Sequence, residues 1–149
     1  MSSYTKARHQ KIGGGLYRIV SDEPSGMWFY FGNPSGNRGI MVPQGFITDG
    51  PSIPFWLEIP LRLVGLYTWV LECLLKASAV HDRMREDRQF SLLETDCYFL
   101  IALACDQKNW KGPQWACAVL RELAFLGVRT NRSRRVRNTD VTWDVTSQL

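Results

Sequence analysis

The chain has 149 residues, 45% hydrophobic and 12% aromatic, enough to build one domain with a buried core and too apolar for a disordered or collagen-like chain. Its net charge of +4 is unevenly spread: Lys6, Arg8 and Lys11 near the start and Arg129, Arg132, Arg134, Arg135 and Arg137 near the end have no acids among them, and the other ten basic residues face fourteen acidic ones, leaving a body near −4. No secretory signal is read at the N-terminus, and the longest uncharged apolar run, Leu63 to Leu71, is nine residues against the roughly 20 of a membrane helix, so no span is expected.

Residues 1–13 read as a basic N-terminal arm. After Gly13-Gly14-Gly15 the pattern turns strand-like, with short β-branched or aromatic runs at Leu16 to Val20, Met27 to Phe31 and Gly39 to Val42, separated by turn-forming stretches. These predict a small antiparallel sheet. From Pro54 the period becomes helical. Tyr67, Val70, Leu71, Leu74, Ala77, Ser78 and His81 follow three-and-four spacing and predict a helix that ends in the charged stretch Arg83 to Arg88.

A second helix is expected from Ser91, where Ser-Leu-Leu-Glu forms a capping box: the Ser91 hydroxyl accepts from the Glu94 amide and the Glu94 carboxylate reaches back. Its core stripe reads as Leu92, Leu93, Cys97, Leu100, Leu103 and Ala104. A third helix starts near Pro113, with Trp115, Ala116, Val119, Leu120, Leu123 and Leu126 as its core face, and stops at Gly127. The expected fold is α+β, a small antiparallel sheet followed by about three packed helices, with a single domain over 14–127. Residues 128–149 read as a basic C-terminal arm in which Val141 to Val145 alternates like one more strand. Cys73, Cys97, Cys105 and Cys117 lie in apolar helical segments without a CxxC spacing and read as buried thiols.

The run Val42 to Pro54 holds three prolines and two glycines, a rigid loop that presents Thr48, Asp49 and Ser52. Asp49 can accept from nearby amides and Ser52 can cap the following helix, so the loop has a purely structural reading. His81 and Asp82 lie where the first long helix passes from apolar to charged. Asp96 falls at helical spacing between Leu92 and Leu100 and is expected to point inward. A buried carboxylate needs a cation, donors or a metal, so Asp49, His81 and Asp96 are expected to converge within about 6 Å, with a hydrogen bond from loop to helices.

The pattern VPxGFxTDxxSxP, an HD dipeptide about thirty residues later, an Asp in the next helix and a closing AVLRELAFLG segment resemble a family of small phage and prophage proteins of unknown function. The resemblance covers roughly residues 14–127. It implies that the family's polar positions are Thr48, Asp49, Ser52, His81, Asp82 and Asp96. Arg83-Met84-Arg85 stands where the family pattern carries an aromatic-containing segment.

With that phage context, the first functional reading is a structural or assembly component of the virion, in the tail or head-tail region, made in the host cytoplasm. Its partners would be other phage structural proteins or copies of itself, bound through the basic arms. The alternative is a metal-assisted hydrolase using Asp49, His81, Asp82 and Asp96. Adjacent helical side chains diverge by about 100°, which argues against a closed metal shell containing both His81 and Asp82. No metal and no cofactor is therefore expected, and no residue is assigned as catalytic. A third reading is a nucleic-acid-binding accessory protein acting through Arg129 to Arg137, a run with no interleaved aromatic residue for base stacking.

Overall fold

The structure is a computed structural model that describes residues 3–30, 39–51, 53, 55–87 and 90–130. In chain order it comprises β1 (Ser3–Tyr4), β2 (Ala7–Gly13), β3 (Leu16–Ser21), β4 (Gly26–Tyr30), β5 (Gly39–Pro43), β6 (Ile47–Thr48), α1 (Phe55–Leu63), α2 (Tyr67–Glu86), α3 (Leu92–Asp106), a 3-10 turn at Gln107–Asn109, and α4 (Gln114–Thr130). The fold is α+β. Its strands form two three-stranded antiparallel sheets, in the orders β1-β4-β5 and β2-β3-β6.

The stretch expected as a basic N-terminal arm is instead part of both sheets. Ser3 and Tyr4 pair with Tyr30 and Phe29, while Ala7 to Lys11 run against Ser21 to Tyr17. Thr5 joins them by donating its amide to the Trp28 carbonyl at 2.9 Å and accepting from the Trp28 amide at 2.8 Å. This strand pairing leaves little trace in hydrophobic periodicity, because β2 is held by backbone bonds to β3 and most of its side chains stay exposed. Gly26, with φ +126°, lies so close to β5 that a Cβ there would sit 2.2 Å from the Val42 carbonyl oxygen.

The helical region contains one more helix than the periodicity indicates. Gly65, at φ +73°, breaks the apolar stretch after Leu63 and separates α1 from α2. α2 then runs through the centre of the domain, against β5, β6, α1 and α3. Val70, Cys73, Leu74, Ala77 and Val80 form the core with Ile19, Met27, Phe29, Val42 and Phe46 from the sheet side and Phe99, Ala102 and Leu103 from α3. Each fully buried Phe contributes about 2–3 kcal/mol of apolar transfer. The capping box at α3 is formed, with the Glu94 amide donating to Ser91 Oγ at 3.2 Å and the Ser91 amide donating to Glu94 Oε2 at 2.8 Å.

The inward faces of α3 and α4 differ from the expected stripes. α3 buries Thr95, Phe99, Ala102, Leu103 and Asp106, and leaves Leu92, Leu93, Cys97 and Ala104 exposed. α4 buries Cys117 and Leu120, while Trp115, Val119, Leu123 and Leu126 face outward. α3 is apolar around most of its circumference, so periodicity alone offers two competing stripes. The contact with α2 selects the one that carries Phe99. α4 is fixed at its start by Trp69 Nε1, which donates to the Lys111 carbonyl at 2.6 Å, and further along by Arg121, which donates to Gln107 Oε1 at 3.1 Å.

Candidate functional site

The loop's polar residues reach the helices through Thr48. Its side chain is fully buried, and Oγ1 donates to Asp82 Oδ2 at 2.5 Å while accepting from the Gly50 amide at 3.0 Å. Gly50 closes this turn at φ +76°, a conformation that L side chains rarely adopt. Asp82 Oδ1 lies 3.8 Å from His81 Nδ1, and His81 Nε2 lies 3.2 Å from Asp96 Oδ1. The resulting row, Thr48, Asp82, His81 and Asp96, ties β6 to α2 and α2 to α3.

His81 and Asp82 diverge as neighbours on a helix must: Asp82 turns to β6 and His81 to α3. The imidazole is buried, 5.1 Å from the Phe99 ring between centroids, and each ring nitrogen faces a carboxylate. Of the expected convergence of Asp49, His81 and Asp96, the contact of His81 with Asp96 is present. The loop-to-helix bond comes from Thr48 to Asp82, and Asp49, the next residue, is half-buried.

A hydroxyl that donates to a carboxylate within the chain and is closed to solvent is poorly placed as a nucleophile. His81 Nε2 is oriented by Asp96 at 3.2 Å, while the 3.8 Å between Nδ1 and Asp82 Oδ1 is beyond hydrogen-bond reach. The arrangement is well suited to holding three elements in register. Among the described residues, no group of three or more His, Cys, Asp or Glu is placed to hold a metal ion. Ser52, Arg132, Arg134, Arg135, Arg137 and Val141 to Val145 lie outside the described residues, and Arg129 is in the last turn of α4.

A second buried carboxylate escaped the sequence reading. Asp106, at the end of α3, is 3% exposed and accepts from Asn109 Nδ2 at 3.3 Å and Trp110 Nε1 at 3.5 Å, with Lys76 Nζ at 3.9 Å. Its signal was the 4-3-4 spacing of Thr95, Phe99, Ala102 and Asp106. The hydroxyl of Tyr4 is pushed well above its usual range, chiefly by burial and then by the charge of Asp106.

The other conspicuous feature is apolar. Trp115 is 72% exposed, Leu93 61% and Leu126 56%, and Ile101, Val119 and Leu123 are also exposed among the described residues, on the two helices α3 and α4 that pack on each other. Glu122, beside Leu123 on α4, is paired with Arg121 at 2.7 Å. A helix that is apolar on every side is normally buried on every side.

The profile of a family described as protein of unknown function (DUF1353) matches residues 28–119, which span Thr48, His81, Asp82 and Asp96. No curated protein and no solved structure matches the chain.

Proposed function

The chain belongs to the family described as protein of unknown function (DUF1353), whose profile covers more than half of it, and on that premise we propose that it serves as an assembly component of a phage particle, not as an enzyme. The observation that carries this reading is the uncovered apolar layer of α3 and α4, a surface suited to burial against a neighbouring subunit. The polar row supports it from the other side. Thr48, Asp82, His81 and Asp96 satisfy one another inside the fold, so their chemistry is spent on holding β6, α2 and α3 together. The phage setting comes from the loop and HD pattern of the sequence.

The test is mass spectrometry of purified phage particles from cells that carry the gene. Peptides from this chain are expected in the particle fraction at the level of other structural proteins. Their confinement to the soluble lysate, with particles free of them, would overturn the reading. A second arm uses Leu126→Lys: a folded variant that no longer enters particles ties incorporation to the outer layer.

A further inference from the structure

We infer that the cleft between the end of α2 and the outer edge of the β1-β4-β5 sheet is a binding site for a small aromatic monocarboxylate; the site stands apart from the assembly reading and does not depend on it. The cleft encloses about 240 Å³, and its walls include Trp28, Met41, Arg83, Met84, Asp87 and Phe90. β5 is the outer strand of its three-stranded sheet, and α2 packs beside it.

The apolar walls are held in place by the fold. Trp28 and Met41 are cross-strand partners, so their side chains point to the same face of the sheet. The Trp28 indole stacks on Tyr30 at 5.8 Å and 9°, and its Nε1 donates to Ser25 Oγ at 3.4 Å. Met84 is anchored in the core, and Phe90 meets the Tyr98 ring edge-on at 6.3 Å between centroids. Rings and thioethers fixed in this way offer flat, polarisable surface to an aromatic guest at little ordering cost.

Charge selects the other end of the guest. Arg62 and Arg121 are each paired with a glutamate at 2.7 Å, whereas the guanidinium of Arg83, half-buried on the cleft wall, has no hydrogen bond or ion pair among the described residues. A carboxylate matches it, accepting two of its N–H groups side by side. Asp87, four residues on and in the same wall, adds a negative charge that favours a monoanion over a dianion such as a phosphate monoester. Size sets the length of the guest. An apolar cavity of about 150 Å³ accommodates benzene, and the roughly 90 Å³ left over here is about three waters' worth, room for a two-carbon arm and a carboxylate.

The experiment is calorimetric titration of the purified full chain with 3-phenylpropionate at neutral pH. One equivalent is expected to bind with a dissociation constant on the order of 1 mM or below. The neutral 3-phenylpropionamide, which keeps ring and shape, should bind at least about tenfold more weakly, and phenyl phosphate should also fall behind the carboxylate. Arg83→Gln should weaken 3-phenylpropionate at least about tenfold while retaining the wild-type circular dichroism spectrum. The Trp28 indole N–H resonance, assigned by its loss in Trp28→Phe, should shift in step with occupancy. The comparison of acid with amide uses the wild-type chain and stands even where a variant misfolds. No binding up to about 10 mM, equal affinity for acid and amide, or tighter binding of phenyl phosphate overturns the inference. So does a Trp28 resonance that stays put at saturation, or a folded Arg83→Gln variant that binds as the wild type does.

Discussion

α3 belongs to two regions of opposite character. On its inner side Asp96 meets His81 and Phe99 packs beside the same ring, at the junction where Thr48 and Asp82 join β6 to α2. On its outer side Leu93, Cys97 and Ile101 are exposed among the described residues. The inner region is largely closed: Thr48, His81 and Phe99 are buried, while Asp82 and Asp96 keep 31% and 18% of their side chains exposed. The outer region is open, with apolar side chains exposed among the described residues. The contrast separates side chains that the described fold packs from side chains that it leaves exposed. It also predicts that substitutions on the two sides of one helix act on different measurements.

The largest effect should come from Phe99→Ala. Phe99 is 1% exposed and packs against the His81 ring, so its removal should cost about 3–5 kcal/mol in urea unfolding. A cost below about 1 kcal/mol would mean that α3 does not carry the core on this side. Asp96→Ala should follow at about 2–3 kcal/mol, because it leaves the buried imidazole without its 3.2 Å partner, with some relief from the partial exposure of the carboxylate. Asp96→Asn, which keeps an acceptor, should recover part of that loss, and equal losses for the two variants would show that packing rather than the polar contact matters there.

Thr48→Val should cost about 1.5–2 kcal/mol, since the shape is retained while Asp82 loses a donor and the Gly50 amide an acceptor. Unfolding that matches wild type would remove the loop from the list of elements that Asp82 holds. The smallest effect on stability is expected on the outer side, where Leu126→Lys, at a residue 56% exposed, should change the unfolding of the chain by no more than about 0.5 kcal/mol. A large loss there would move α4's outward stripe into the core and close the open region.

Thiol chemistry sharpens the same comparison without mutation. Cys73 is buried, and that burial, reinforced by Cys117, Asp106 and Glu72, pushes its thiol up to about 12. A raised thiol pKa means less thiolate at any given pH, so Cys73 should stay unreactive toward a disulfide reagent at pH 8 until the protein unfolds. Cys97, exposed on the outer side, should react first in dilute protein. Fast modification of Cys73 in the folded chain would contradict the closed character of the α2 interior.

Local signals in the sequence were enough for the elements whose formation depends on neighbouring residues. The Ser91-Glu94 box fixes the start of α3 because donor and acceptor lie three residues apart, and the spacing from Tyr67 onward marks α2 because one apolar stripe dominates its first turns. The strands β3, β4 and β5 were legible for a similar reason, as β-branched and aromatic runs between turns. The pairing of His81 with Asp96 was legible too, because an inward carboxylate and an inward imidazole each require a partner.

Tertiary structure alone decided the rest. β1 and β2 exist through backbone pairing with β4 and β3, which side-chain patterns scarcely record. Thr48 becomes Asp82's partner only once β6 is laid beside β3 and against α2. α3 carries enough apolar residues for two faces, and the sequence hardly distinguishes them. Which face is core follows from the side on which α2 lies, because burial is a property of the neighbour as much as of the residue.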